Sequence, residues 1–283
     1  MLPHPDERNR MKWEHCVDYE WFKARQDHLT ASEIVKLVPF TKTGRARTVS
    51  DDDRLAIMAK KWANIDPDDC WSTGAAARGH ILEPYAIEAY NQMVDEGGYS
   101  MPRLVHWDDQ LIYDDSVKDP RGSLAFSPDA LDVLPPTQGV SLPFSSFSPS
   151  AIREPRALGE VKCYGDDRHI LTACADKMLL EERWQIATGM AVCPTIDDGY
   201  LILYNPRMRL RKLYVIHYTR AELAKELDIV EQVHEDWVAL LGAENDESRG
   251  KTWVTTPDRM VYTGGMDEDA IVDELKKKGQ FNP

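Results

Sequence analysis

Leu-Ala-Phe-Ser-Pro-Asp at residues 124–129 and Leu-Gly-Glu-Val-Lys at residues 158–162 are the two stretches that decide the predicted fold of this chain. The first ends an apolar run with the carboxylate of Asp129. In the second, a strand would send Glu160 and Lys162 to one face and Val161 to the other, because successive side chains of a strand alternate. We therefore expect one carboxylate and one amine to point together over one face of a sheet.

These residue types suit the hydrolysis of a phosphodiester. Asp129 and Glu160 supply hard oxygen ligands for magnesium or manganese, and the Val161 carbonyl is a further candidate ligand. A pair of divalent ions stabilises charge on the attacking and leaving oxygens. Lys162 would orient the attacking water or stabilise the developing oxyanion. A purely structural explanation stays open, in which Asp129 caps a turn and Glu160 and Lys162 form a solvated pair.

A third acid, Glu83, lies upstream in a segment with helical character. It shares a helical stripe with Ile87 and Tyr90, which predicts that its side chain faces inward. A buried carboxylate needs a partner. A metal ion, or a water bound to one, would serve, and so would a salt bridge to Arg78 or a position at the helix start before Pro84.

Two further segments carry polar groups that suit phosphate. Gln185 lies on a mostly apolar helix, where its amide would bind a phosphate or a metal ligand unless it is a surface glutamine. Thr30 and Glu33 have the spacing of a capping box, and hydroxyls at a helix start also suit an anion. Arg25 adds a candidate bidentate phosphate contact.

Composition limits the class of protein. The 283 residues are 42% hydrophobic, enough for a core, and carry a formal net charge of −14. That charge argues against a generic nucleic-acid binder but leaves room for a local basic groove. The five cysteines have no zinc-site spacing and are expected to be reduced thiols rather than iron–sulfur ligands. Without an apparent membrane span or secretion signal, we expect a cytoplasmic protein with no membrane partner.

The predicted elements alternate between helices and strands. Helices are predicted at residues 75–93, 177–192 and 220–241, a strand pair at 124–126 and 131–134, and further strands at 157–162, 199–205 and 213–218. This order predicts an α/β (α+β) fold with a mixed central sheet and helices on its faces. Residues 1–242 are expected to form a single domain with a Pro- and Ser-rich loop at about 135–155. Residues 243–283 are expected to form an acidic tail with one possible helix at 268–278.

In this order, the landmarks resemble the lambda-exonuclease family, the viral recombination exonucleases of the PD-(D/E)XK nuclease superfamily. The resemblance runs from about residue 21 to residue 218. It rests on the segment from Arg25 to Glu33, on residues 79–83, on Ser127-Pro128-Asp129, on residues 160–163 and on Gln185. Residues 204–208, Tyr-Asn-Pro-Arg-Met, resemble the late strand and turn of the family.

The resemblance implies a role for each candidate residue. Asp129 and Glu160 would bind two Mg²⁺ ions, Glu83 would serve the second site or position water, and Lys162 would serve the nucleophile. The residues that match the grip on a terminal 5′ phosphate are Arg25, Ser32, Ser127 and Gln185. Such enzymes digest one strand of linear duplex DNA from its 5′ end and release mononucleotides. They leave a 3′ overhang for an annealing protein, and several are ring-shaped trimers.

The sequence departs from the family pattern at three places. Ala130 replaces the usual glycine after the Ser-Pro-Asp triplet, Glu182 replaces a tyrosine that often precedes the glutamine, and the loop at 135–155 lengthens the connection between the two acids. These departures remove no catalytic group. The leading hypothesis is a 5′-to-3′ exonuclease of a phage or prophage recombination system. An endonuclease of the same superfamily and a non-catalytic DNA-end-binding module are the alternatives.

Overall fold

The structure is a computed structural model that describes residues 24–41, 45–63, 75–107, 110–134, 141–147, 153–175 and 180–244. The chain divides into two compact units, Met1–Glu235 and Asp236–Pro283. Of the second unit, only residues 236–244 are described, and these are helical. The predicted single domain at 1–242 therefore stays a prediction. The possible helix at 268–278 lies outside the described residues.

The described residues form helices and short strands in alternation. The helices are α1 (Ala31–Leu37), α2 (Asp51–Ala63), α3 (Ala75–Gly97), α4 (Asp166–Ala175), α5 (Leu180–Val192) and α6 (Ala224–Glu244). The strands are β1 (Leu29–Thr30), β2 (Val105–His106), β3 (Leu111–Tyr113), β4 (Leu124–Phe126), β5 (Ala130–Leu131), β6 (Ser141–Pro143), β7 (Ala157–Lys162), β8 (Asp198–Tyr204) and β9 (Leu213–Thr219). No helix among them is long and apolar enough to cross a membrane.

The described strands form two mixed sheets. The four-stranded sheet has the order β1-β4-β3-β6, and the five-stranded sheet has the order β2-β5-β7-β8-β9. Strands β7 and β8 are parallel, and their register pairs Lys162 with Leu203. The carboxyl ends of these two strands therefore lie at the same edge of the five-stranded sheet.

Helices α3 and α5 cover the two faces of the five-stranded sheet. On one face, Ile87 and Tyr90 of α3 belong to the same buried cluster as Val161 and Ile202. On the other face, Ile186 of α5 lies so close to Gly199 that a Cβ at that glycine would be 2.4 Å from Ile186 Cγ2. The prediction of a mixed sheet with helices on its faces is confirmed, although the strands divide into two sheets.

Gly189 allows α5 to approach both sheets closely. A Cβ at this position would be 2.9 Å from Leu158 Cδ2 and 2.9 Å from Phe126 Cδ2, inside the roughly 3.5–4.0 Å of an ordinary carbon contact. Residues four apart share one face of a helix, so Gln185 lies one turn earlier on the face that meets these strands. Leu158 shares its strand face with Glu160. The close approach at Gly189 therefore places Gln185 over the residues of the candidate site.

Three expectations about local structure need correction. Residues 124–126 and 131–134 do not pair with each other, because the chain passes from one sheet to the other between β4 and β5. The segment at 135–155 is not wholly a loop: Ser141–Pro143 forms β6, an edge strand, where a proline is tolerated. Within the same segment, the buried Phe147 stacks on Trp107 with 6.2 Å between ring centroids. Finally, α4 was not predicted.

Candidate active site

Asp129, Glu160 and Lys162 come together where the two sheets adjoin. Asp129 lies between β4 and β5, and its carboxylate accepts a hydrogen bond from the Val161 N–H at 2.6 Å. Glu160 is 8% exposed and forms an ion pair with Lys162, two residues further along β7. The alternation along the strand therefore sends Glu160 and Lys162 to one face, as predicted, while Val161 packs in the core below α3.

The neighbouring carboxylates increase the affinity of Asp129 for a proton. Burial raises the pKa of Asp129 well above its usual range, and the nearby charges of Glu160 and Glu83 raise it further, against the opposing effect of Lys162. Burial would lower the pKa of Lys162, but Glu160 and Asp129 together raise it above its ordinary value. Lys162 is thus an ammonium at neutral pH, and a second cation would relieve the crowding of the acids.

The donor set at this point fits a magnesium ion. The N–H and C=O of one strand residue point to the same side of the strand, so the Val161 carbonyl faces the same way as the N–H that binds Asp129. Two carboxylates and a carbonyl, completed by waters and substrate phosphate, match the preferences of Mg²⁺. Within the described part of the chain, no group of three His, Cys, Asp or Glu side chains is arranged as a metal cage.

Glu83 lies on α3 and approaches from the other face of the sheet. It is not among the residues that line the cavity described below, and it acts on Asp129 through charge. Its Oε2 lies 3.8 Å from His80 Nδ1 and 3.9 Å from His106 Nε2, which are ion-pair distances. Burial would raise the pKa of Glu83, but these two imidazoles lower it to about 2.

Arg78, the alternative partner proposed for Glu83, binds elsewhere. Its guanidinium donates to the Tyr164 carbonyl and to Asn205 Oδ1, each at 3.2 Å. Glu83 also lies well inside α3, since the helix begins at Ala75 and continues through Pro84. Neither structural explanation considered for Glu83 therefore holds, and its neighbours are His80 and His106.

One cavity of about 150 Å³ gathers most of the predicted side chains. It is lined by Arg25, Ala31, Ser32, His80, Phe126, Ser127, Asp129, Glu160, Lys162 and Gln185. Such a volume is small beside the roughly 300–1,000 Å³ of pockets for drug-sized ligands, so it suits a phosphate-sized group. Of the candidate catalytic residues, Asp129, Glu160 and Lys162 line this cavity together with four of the five candidate phosphate-binding residues; Glu83 and Thr30 do not.

Arg25, four residues before β1, and Ser32, at the start of α1, both line the cavity. Arg25 Nη2 donates to Ser32 Oγ at 2.8 Å. The Thr30 N–H donates to Glu33 Oε2 at 2.9 Å, the capping contact that the sequence predicts. Thr30 is only 2% exposed and does not line the cavity, so its predicted phosphate contact stays a prediction. Ser127, which does line the cavity, donates its hydroxyl to the Gln110 carbonyl at 3.2 Å.

Glu182, which replaces a family tyrosine, is buried next to a different tyrosine. Its Oε1 accepts hydrogen bonds from the Tyr164 hydroxyl and, at 3.1 Å, from Arg168 Nη2. Tyr164 lies two residues after Lys162, which ends β7. Its phenol contacts Glu182 and therefore lies next to the position of the family tyrosine, one turn before Gln185 on α5. Burial raises the pKa of Tyr164, and the charge of Glu182 raises it further. The phenol therefore stays protonated and donates to Glu182.

Sequence reasoning missed three residues around the site. His80 lines the cavity, and its spacing of three residues from Glu83 on a helix was an available signal. His106 reaches Glu83 from β2, and no local pattern indicates this contact. Lys61 of α2 is 5% exposed and donates to Glu33 Oε2 at 2.8 Å and to the His28 carbonyl.

Comparison with solved structures identifies the fold. An alkaline exonuclease from Laribacter hongkongensis, LHK-Exo, superposes with a TM-score of 0.54 over 81% of this chain and 97% of that chain, at 19% sequence identity. The chain has the fold of this exonuclease. The complex of LHK-Exo with dAMP gives a TM-score of 0.53 with the same coverage and identity.

The likeness agrees with the family resemblance noted in the sequence, and at this identity it establishes the fold alone. A phage-related exonuclease from Haemophilus somnus superposes more loosely, with a TM-score of 0.42 at 11% identity over 77% of this chain and 96% of that chain. No protein-family model and no curated protein matches the sequence.

Proposed function

We propose that this chain is a magnesium-dependent exonuclease that digests one strand of linear duplex DNA from its 5′ end. The observation that carries the proposal is the shared cavity, in which Asp129, Glu160 and Lys162 lie with Arg25 and Gln185. Acids for a divalent ion, an ammonium group and phosphate donors are the parts that phosphodiester hydrolysis requires. The exonuclease fold, described above, supports the same reaction class.

In this proposal the acids bind metal ions and Lys162 acts on the water or the phosphate. Asp129, Glu160 and the Val161 carbonyl would hold Mg²⁺, with Mn²⁺ as a substitute and with Glu83 serving a second ion or a water. When bound, the metal ions would polarise the scissile phosphate and lower the pKa of the attacking water. Lys162, held in place by its ion pair with Glu160, would orient that water or stabilise negative charge on the phosphate.

The other wall of the cavity would recognise the end of the strand. Arg25 offers a planar fork that matches a phosphate, and Ser32, Ser127 and Gln185 offer neutral donors. A terminal 5′ phosphate carries more charge than an internal diester and has no continuing chain to clash with a small cavity. These features favour cleavage at a 5′ end over cleavage within a strand.

We extend the proposal to the biological setting on the family resemblance. The product would be mononucleotides and a 3′ overhang, which a single-strand annealing protein would use in phage-type recombination in the cytoplasm of a bacterial host. A homotrimer would keep the enzyme on its substrate. Size-exclusion chromatography with light scattering tests the trimer, and a single peak at the 32.3 kDa of the monomer at all concentrations would reject it.

The test of the reaction is digestion of linear duplexes with either a 5′ phosphate or a 5′ hydroxyl, in Mg²⁺ and in EDTA. We expect mononucleotide release in Mg²⁺ alone, faster from the phosphorylated end. Asp129→Asn should lower the rate by about 10³-fold, since charge stabilisation by a metal contributes several kcal/mol. Asp228→Asn, at an exposed position on α6, is the matched control and should leave the rate unchanged.

Three outcomes separate the alternatives. Cleavage of a covalently closed circle at the rate of the linear duplex would indicate an endonuclease. Binding of duplex ends without cleavage in Mg²⁺ or Mn²⁺ would indicate a non-catalytic end-binding module. Digestion that persists in Asp129→Asn would reject the site itself.

Arg25→Ala should reduce the preference for a 5′ phosphate by about 10–100-fold, because a charged hydrogen bond contributes about 1.5–3 kcal/mol.

A further inference from the structure

The turn between β8 and β9, residues 205–212, is strongly basic although the whole chain is acidic. It carries Arg207, Arg209, Arg211 and Lys212, all exposed, in a chain whose net charge is −14. We call these eight residues the basic turn. Because the chain as a whole is acidic, such a cluster concentrates attraction for phosphate at one place.

One of the exposed arginines, Arg211, also anchors the basic turn through a hydrogen bond of its guanidinium. Arg211 has a φ of 54°, in the left-handed region that side chains rarely adopt. Its guanidinium donates to the Ala173 carbonyl in the last turn of α4 at 2.5 Å, and its own carbonyl lies 2.7 Å from His169 Nε2. These contacts hold the turn against α4, so the position of the remaining cations is defined.

The remaining cations differ in how far their charge is already neutralised. Arg207 Nη2 lies 3.3 Å from Asp166 Oδ2, although the arginine side chain is 75% exposed. Arg209 is exposed, and Lys212 has its ammonium 5.7 Å from the centre of the Tyr204 ring. Arg209 and Lys212 are therefore the cations best placed to bind an external anion.

The basic turn lies at the same sheet edge as the candidate active site. It follows β8, whose residue Leu203 pairs with Lys162. Asn205, the first residue of the turn, accepts a hydrogen bond from Arg78 at 3.2 Å. Two residues further along α3, His80 lines the cavity, and two helical residues advance only about 3 Å. One turn of α3 therefore contacts both the first residue of the basic turn, through Arg78, and the cavity, through His80.

We propose that the basic turn binds the phosphate backbone of duplex DNA next to the end held in the active site. This inference rests on the proposed function, since it assigns to the substrate of that site a second point of contact. A strand offers a phosphate about every 3.4 Å along the helix axis, so a duplex with its end in the cavity would carry its next phosphates past the turn. The contact would be independent of base sequence.

Salt dependence measures such a contact directly. Each phosphate that a protein neutralises contributes about 0.9 to the slope of log K against log salt for duplex DNA. Replacement of Arg209 and Lys212 by glutamine should lower the slope by about 1.8 if each residue neutralises one phosphate. At moderate salt we expect the dissociation constant to rise by roughly tenfold or more.

The experiment uses the full chain with Asp129→Asn, so that DNA survives the measurement. Fluorescence anisotropy of a labelled duplex with a 5′ phosphate is recorded across a salt series for the parent and for Arg209→Gln/Lys212→Gln. The matched control is Arg156→Gln/Lys225→Gln. Arg156 precedes β7 and Lys225 follows β9, and both residues are exposed. They therefore lie at the amino ends of β7 and β8, roughly 20 Å along the strands from the basic turn.

Each result has one interpretation. A lower slope and weaker binding in the Arg209/Lys212 variant, with the control near the parent, supports the proposal. Equal slopes in the two variants overturn it, once thermal melting by circular dichroism shows that both are folded. The proposal is also overturned if the Arg209/Lys212 variant loses the same amount of salt slope and affinity for a single strand of the same sequence. The basic turn would then contact single-stranded DNA.

The two proposals fail separately. If the wild-type protein with Mg²⁺ digests the duplex while the salt slopes are equal, the basic turn is rejected and the exonuclease stands. If the wild-type protein does not digest the duplex, the exonuclease is rejected whatever the slopes are.

Discussion

Gly189 offers a sharp test of how the fold positions the site, because a single methyl group should move a helix. In Gly189→Ala the new Cβ would lie 2.9 Å from Leu158 Cδ2 and from two carbons of the Phe126 ring. To restore ordinary contact distances, α5 or its neighbours must shift by about 0.5–1 Å. The perturbation acts on buried packing and leaves every polar group of the site chemically unchanged.

Two energies of opposite sign compete in this variant. Alanine in place of glycine favours a helix by about 0.8–1.0 kcal/mol, whereas an extra methyl group in a packed core costs typically 1–3 kcal/mol. We expect a net loss of about 0–2 kcal/mol in the free energy of unfolding, and a melting temperature lower by a few degrees. Helix propensity alone would raise the melting temperature, so the sign separates the two effects.

The same shift should reach the site through Gln185, which lies one turn before Gly189 and lines the cavity. A displacement of about 1 Å in a positioning group can cost up to 10²-fold in rate. We therefore expect a fall in the digestion rate that is larger than the small loss of stability explains. Thermal melting and a single-turnover digestion assay, both below the melting transition, measure the two quantities.

Matched variants test the explanation. Ala191→Gly makes the reverse change at a partly exposed position in the last turn of α5 and should cost at most about 1 kcal/mol of helix propensity without an effect on rate. In a Phe126→Leu background the cost of Gly189→Ala should shrink, since the contacts with the aromatic ring would be removed and only the contact with Leu158 would remain. A Gly189→Ala protein that melts higher than wild type and digests DNA at the wild-type rate would refute the reasoning.

Three further predictions concern stability and reactivity. Lys61→Met should lower the free energy of unfolding by roughly 1–3 kcal/mol in urea titrations, because Glu33 loses a charged hydrogen bond and keeps only its contacts with Thr30. A loss below about 0.5 kcal/mol would show that the pair is solvated. The pKa of Glu83 falls from 4.5 in the unfolded chain to about 2 in the folded one, so its stabilising effect is complete above pH 4.5 and is lost as the pH falls toward 2. The stability difference between wild type and Glu83→Gln should shrink over that interval, and a difference that is constant with pH would contradict the assignment. Burial raises the pKa of the Cys163 thiol to about 12, so iodoacetamide at pH 8 should label its peptide slowly until denaturant is added; rapid labelling in the native protein, seen by mass spectrometry, would exclude this environment.

The chemistry at one strand was predictable because it depends on local geometry. Glu160 and Lys162 are two residues apart, and alternation along any strand places them on one face. For Gln185, local geometry predicted only a polar residue on an apolar helix. Its position over the site depends on the close contact at Gly189, which the sequence does not indicate. His80 was within reach, because its spacing from Glu83 is helical, whereas His106 comes from another element.

The elements themselves were predicted where a pattern was regular. The strands β7, β8 and β9 and the helices α3 and α5 have the expected positions within a few residues. The segment at 135–155 misled the prediction because its prolines and serines resemble a loop, yet a proline is compatible with an edge strand such as β6. The pairing of strands escaped prediction as well, since β4 and β5 are neighbours in sequence but belong to different sheets.

By itself, the sequence determined which groups are available: two acids and an amine in strand context, an inward-facing Glu83, and phosphate donors on flanking segments. Only the tertiary structure decided which of them meet. Arg25, Asp129 and Gln185 come from distant parts of the chain, and their approach depends on strand register and helix packing, which no local pattern encodes. Burial, likewise, is a property of the assembled fold, and it raises the pKa of Asp129. The approach of Glu160 and Asp129 to Lys162 keeps that amine protonated against the opposing effect of its burial.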